Sequence, residues 1–177
     1  MQETLKEIRL ALFARRNGVV ADALRASGDP HELIMGCPLS DIIAVAQCYE
    51  PSVEVAEALW ADRKHRECRL LATMLYPTDR CELATALRWC SDLQTEEEAD
   101  VLCHRLLRHL ACAPSVMSAL LNQSSPLMRY AAFRLMLNLV LLGRMSLTDS
   151  HRQNLAHELE HPHSPAMAQL LKNLLEE

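Results

Sequence analysis

One helical pattern occurs twice in this chain at a fixed interval, and it restricts the fold more than any other feature. In the first copy Leu59-Trp60 precedes a short polar break and then Arg69-x-x-Ala72-x-x-Leu75. In the second, Leu120-Leu121 precedes Asn122-Gln123-Ser124-Ser125-Pro126 and then Arg129-x-x-Ala132-x-x-Leu135. Arg, Ala and Leu thus recur 60 residues apart, 69 to 129, 72 to 132 and 75 to 135. A partial third copy, Pro165-x-x-Ala168-x-x-Leu171, keeps the Ala and Leu without the Arg. A small Ala one turn before a Leu lets two helix axes approach closely, as stacked helix pairs require. The pattern predicts an array of helix pairs.

Composition agrees. Half of the 177 residues are hydrophobic, yet only four are Gly. Ala, Leu, Glu and Arg dominate, which favours helix, and no run alternates as a half-buried strand would. The expected class is all-α, with residues 1–177 forming one domain able to bury a sizeable core. Net charge is −5 with His neutral, which opposes a dedicated nucleic-acid binder unless positive charge is gathered locally.

No segment supplies the roughly 18 uncharged apolar residues of a membrane span. The start, Met1 to Glu7, reads as an amphipathic helix and lacks the apolar stretch of a secretion signal. Seven cysteines, an odd number without a Cys-x-x-Cys pair, sit mostly inside helical patterns. Reduced, buried thiols in a cytoplasmic protein are expected.

Proline and turn residues divide the chain into about ten helices. These are expected over residues 4–16, 19–26, 38–49, 51–60, 66–76, 79–90, 95–110, 114–121, 126–142, 147–159 and 165–175, with 31–38 as a connector. Thr95-Glu96-Glu97-Glu98 has the spacing of a capping box. The helix from Met128 to Leu142 is apolar nearly all round and should lie centrally.

The stretch Glu57-Ala58-Leu59-Trp60-Ala61-Asp62 through Arg66-Glu67-Cys68-Arg69-Leu70-Leu71-Ala72 resembles the early repeats of the bacterial DNA alkylation repair enzymes. Ser125-Pro126-Leu127-Met128-Arg129-Tyr130-Ala131-Ala132-Phe133 resembles a later helix of that family. The family consists of all-helical HEAT-like proteins that include alkylpurine DNA glycosylases. The resemblance spans Leu10 to Thr148 and implies a superhelix of stacked HEAT-like helix pairs. It also implies that Asp100 matches the family's catalytic carboxylate, which stabilises a developing sugar cation as a cationic base departs. The sequence departs from the family where tryptophans are expected: Thr95-Glu96-Glu97-Glu98 before Asp100, and Ser125-Pro126-Leu127-Met128 before Arg129.

Other candidates come from residue type and spacing. Arg66 and Arg69 belong to one basic stretch with Arg63 and Lys64, and Arg105 and Arg108 share a helix face at i,i+3. With Arg129 these arginines could line a concave groove and contact phosphates without reading sequence. The same side chains would equally serve as solvated outer faces paired with Asp62, Glu67 and Glu82. Trp89 is the candidate for stacking a base, being the more exposed tryptophan by pattern; Trp60 lies on the apolar stripe of Val55, Ala56 and Leu59. His157 and His161 have i,i+4 spacing, but Pro162 interrupts the helix and no third metal ligand is specified. No phosphate loop or nucleophile motif appears, and neither a metal nor a cofactor is expected.

Three functions remain open on the sequence. The first is a non-catalytic HEAT-like protein that binds duplex DNA through its backbone, or a protein partner, on a concave face. The second is an active glycosylase for cationic alkylated purines, and the third a purely protein-binding scaffold. Oligomeric state is left undetermined.

Overall fold

The structure, a computed structural model, describes residues 1–177 and contains eleven α-helices and no strand. The chain divides into two compact units, Met1–Cys81 and Glu82–Glu177. No helix is long and apolar enough to cross a membrane.

The first unit holds α1 (Gln2–Phe13), α2 (Gly18–Ala26), α3 (Leu39–Ala46), α4 (Val53–Trp60) and α5 (Arg66–Leu75), followed by a 3-10 turn at Thr78–Arg80. Helix α5 is its centre. It packs against α4 and α3, and Leu70, Leu71, Ala72 and Leu75 are buried. The connector expected at 31–38 is present and firmly tied. Leu33 N donates to Lys64 O at 2.8 Å and Arg66 N to Leu33 O at 3.2 Å, an isolated parallel bridge. Gly36 has φ +74, and a Cβ there would lie 2.2 Å from Asn17 O and 2.5 Å from Ala21 N. Only glycine permits both that backbone conformation and that approach to α2.

The second unit holds α6 (Leu83–Ser91), α7 (Glu96–Arg105), α8 (Ala113–Leu121), α9 (Pro126–Leu141), α10 (Asp149–Glu160) and α11 (Pro165–Glu176). A 3-10 turn at Leu107–His109 follows α7. Helix α9 is buried from Tyr130 to Leu139 except at the partly exposed Arg134, and packs against α6, α7, α8 and α11. Its near-uniform apolarity demanded such a place.

Polar N-caps set most helix starts. Side chains of Asn17, Ser52, Thr95, Ser125, Thr148 and Ser164 each accept from the backbone N–H three residues on, satisfying donors that the helix leaves open.

Three local expectations need correction. The stretch 79–90 is not one helix: Cys81 and Glu82 are extended between the 3-10 turn and α6. The helix from Thr95 stops at Arg105, because Leu106 turns to ψ −65 with φ −118 and the chain continues as the 3-10 turn. Glu98, expected to reach back to the Thr95 N–H, is fully buried and accepts from Gln94 N at 2.8 Å instead.

All seven cysteines are free thiols. Burial pushes the Cys37 thiol up to about 11 and Cys68 up to about 12, so both are protonated packing groups without nucleophilic character.

Candidate nucleic-acid interface

The structure divides the arginines picked out by sequence into structural and accessible sets. Arg66 and Arg69 are 4% and 0% exposed. Arg66 Nη1 donates to Glu67 Oε1 at 2.8 Å, beside the 31–38 connector. Arg69 Nη1 donates to the Trp60 carbonyl at 2.7 Å, and its guanidinium lies 3.9 Å from the centre of the Trp60 indole ring. Arg129 is partly open; it donates to Leu121 O at 3.2 Å and pairs with Glu158. All three hold helices and loops together.

Trp89 is 0% exposed, and the expectation that it is the more accessible tryptophan is not met. The reason is its stripe. Ala86, Trp89 and Cys90 are the buried residues of α6, at i, i+3 and i+4, which turns the indole into the core.

Arg105 and Arg108 are different. They lie at the end of α7 and in the 3-10 turn after it, beside the exposed His104 and His109. Two more arginines join them from elsewhere in the fold. Arg144, just past α9, pairs its Nη1 with the Arg108 carbonyl and donates from Nη2 to Leu110 O at 3.0 Å. Arg134 of α9 also acts on His104.

Burial and the crowding of like charge act together on this group. Burial, then Arg108, Arg105, His109 and Arg134, hold the His104 imidazole below its ordinary range. Burial, then Arg108 and Arg144, do the same to His109. Burial and Arg105 lower even the Arg108 guanidinium. Burial and neighbouring cations are the leading influences on all three; of the arginines gathered here, Arg134 alone is matched by a carboxylate, Asp100.

Asp100 lies on α7, one turn before His104. Its Oδ1 accepts from Arg134 Nε at 2.6 Å and from the Tyr130 hydroxyl at 2.8 Å. Arg134 Nη2 closes the triangle on the Tyr130 oxygen at 3.2 Å. Burial and then Asp100 push the Tyr130 phenol up, keeping it a donor. The arginine that meets Asp100 is therefore Arg134 and not Arg129. Sequence reasoning passed over it, although its i,i+4 spacing from Tyr130 puts both on one face of an otherwise apolar helix.

Beyond Tyr130, its ring meets His163 edge-on at 6.3 Å, and His163 Nε2 lies 3.1 Å from Glu96 Oε1. Ser164 pairs with the same Glu96 oxygen. Tyr130 is the aromatic residue beside Asp100, and at 1% exposure it offers no open face for stacking a base. No group of three or more His, Cys, Asp or Glu side chains is arranged to hold a metal ion; His151 instead completes the cap of α10, its Nδ1 accepting from Thr148 N at 3.2 Å.

No protein-family model and no curated protein matches the sequence. The fold, however, is similar to that of a solved structure described as "a new family of proteins related to the HEAT-like repeat DNA glycosylases with affinity for branched DNA structures". The match covers 97% of this chain and 74% of the other at a TM-score of 0.78, with 18% identity. The fold is the HEAT-like repeat fold. In this architecture α4 with α5, and α8 with α9, are equivalent helix pairs. The twofold sequence pattern is the signature of those two pairs.

Proposed function

We propose that the protein binds DNA through backbone contacts made by His104, Arg105, Arg108, His109, Arg134 and Arg144. The observation that carries this reading is the gathering of Arg105, Arg108 and Arg144 around one turn in a chain whose net charge is −5. An overall acidic protein gains nothing for DNA from its average charge, so a local concentration of arginine is the electrostatic handle. The affinity for branched DNA stated for the structural neighbour supports the same class of ligand. Asp100 acts here as the partner of Arg134. The positions before Asp100 and Arg129 carry no aromatic residue, and the reading is therefore a binding one, without base excision.

The test is binding of labelled duplex and four-way junction DNA at about 50 mM and 200 mM salt, with Arg105→Gln/Arg108→Gln compared with the native chain. Each lost phosphate contact should lower the slope of log affinity against log salt by about 0.9. Absence of binding at low salt, or an unchanged slope in the double variant, removes the proposal. Release of a methylated base from alkylated DNA would restore the glycosylase reading.

A second reading, attachment of a protein partner, has its own support in the first unit. Leu10, Phe13, Val19 and Leu33 are large apolar side chains left exposed, at 59%, 51%, 82% and 45%. Phe13 and Leu33 line one cleft with Ile34 and Met35. A partner that survives nuclease treatment and is lost in Phe13→Asp would favour it.

A further inference from the structure

In the 3-10 turn after α7, Arg108 Nε donates to Nε2 of its neighbour His109 at 3.2 Å. A ring nitrogen that accepts a hydrogen bond carries no proton, so this contact requires a neutral His109. The arrangement is unusual in what it wastes. A guanidinium donor, in the most basic part of the protein, is spent on an imidazole that is itself capable of donating.

We infer that this turn is a phosphate-binding site that takes up protons as it fills, His109 and His104 becoming cationic when a phosphodiester oxygen reaches the cluster. The inference rests on the DNA reading above and adds to it the state of the two histidines. As a phosphate approaches, a proton from solvent adds to His109 Nε2 and the Arg108 Nε–H to His109 Nε2 hydrogen bond breaks. Arg108 Nε and His109 Nε2 then both present hydrogen to the phosphate oxygens. One contact internal to the protein is exchanged for two charge-assisted contacts to the ligand.

The surroundings of the histidines fit this exchange. Facing His109 are Arg108 from its own turn, Arg105 from α7 and Arg144 from beyond α9; the His104 carbonyl acts the other way and favours the protonated ring. Facing His104 are Arg105, Arg108, His109 and Arg134. Helix α8, which also packs against the turn, carries no titratable side chain. The nearest carboxylate along α7, Asp100, is engaged with Arg134 and Tyr130. After burial, the neighbouring cations are what hold both rings below their ordinary range, and an anion offsets that part of the restraint. A histidine whose proton affinity rises on complex formation binds its ligand more tightly as pH falls, with a slope of log affinity against pH equal to the protons taken up.

The experiment is duplex DNA binding by fluorescence anisotropy at fixed low ionic strength, at pH about 6 and about 8, either side of the ordinary histidine range. Calorimetry in two buffers of different ionisation enthalpy counts the protons. The native chain should bind several-fold more tightly at the lower pH, with proton uptake. His104→Gln/His109→Gln, which keeps an acceptor for Arg108 at an exposed position, should bind more weakly than the native chain at the lower pH and show neither the pH dependence nor the uptake. Equal affinity at both pH values without uptake overturns the inference and leaves the DNA reading standing. So does a double variant that keeps the full pH dependence. Failure to bind at either pH overturns both.

Discussion

Arg69 donates from Nη1 to the Trp60 carbonyl at 2.7 Å while its guanidinium lies 3.9 Å from the centre of the same residue's indole ring. Trp60 is the last residue of α4 and Arg69 the fourth of α5. Arg129, the fourth residue of α9, makes the same contact to Leu121, the last of α8, at 3.2 Å. The repeated arginine is thus a clasp. It satisfies a C-terminal carbonyl that the helix leaves open and sets positive charge at the negative end of the dipole. Arg69→Ala should cost about 3 kcal/mol, since a buried charge-assisted bond and a desolvated cation–π contact go together. Arg129→Ala should cost about 1 kcal/mol, because its side chain is 31% exposed and solvent screens its pair with Glu158. Chemical denaturation of the two variants checks the order; equal losses would contradict it.

Glu67 holds the 31–38 connector in place of a regular element. Its Oε2 accepts from Met35 N at 3.1 Å, and its Oε1 from Gly36 N at 2.8 Å and Cys37 N at 3.3 Å. The residue is 0% exposed. Glu67→Ala would strand those donors and leave Arg66 buried without its carboxylate, a loss of about 3–5 kcal/mol. Glu67→Gln, which keeps one acceptor, should lose less. Thermal melting measures both, and amide exchange at residues 35–37 locates the damage.

The helices were legible because their starts are written in local chemistry: a Ser, Thr or Asn cap, often with proline just inside. The twofold repeat was legible because the Arg that clasps the preceding helix, and the buried Ala and Leu that follow it, must recur whenever the same helix pair recurs. The third copy misled. Ala168 is the fourth residue of α11 and only half-buried, occupying the place where α5 and α9 carry the arginine, so its spacing matches while its register does not. The site was harder to read. Arg66 and Arg69 look like a surface charge run, and only tertiary packing reveals that they are interior. Arg134 and Arg144 are far in sequence from Arg105 and Arg108, and nothing local announces that the fold gathers them around one turn.

Asp62 ties α1 to the turn after α4. Arg9 Nη2 lies 2.8 Å from Asp62 Oδ2, and His65 Nδ1 lies 2.8 Å from the same oxygen. Burial alone would raise this carboxyl, but His65 and Arg9 outweigh it and hold it below its usual 3.8. A carboxyl lowered on folding adds stability that is complete above its unfolded value and is lost as pH falls through its folded one. Stability of the native chain should therefore drop below pH about 4, and Asp62→Asn should show a smaller drop over the same range. Urea midpoints at several acid pH values provide the check. An identical acid profile in the variant would assign the loss to other carboxylates.

Asp100 sits beside the cationic cluster and occupies Arg134 through Oδ1. A phosphate approaching Arg134 must compete with that carboxylate, and its own charge opposes the ligand. Asp100→Asn keeps an acceptor for the Tyr130 hydroxyl while removing the charge. DNA affinity should rise on this substitution, and the slope against log salt should steepen by about 0.9 as Arg134 becomes available for one more phosphate. The opposite behaviour is expected of a base-excising carboxylate, where the Asn variant would bind much as before and lose product release. Affinity and base release measured on the same variant separate the two roles. Weaker or unchanged binding by Asp100→Asn would mean that the Asp100–Arg134 pair serves to build the site instead of restraining it.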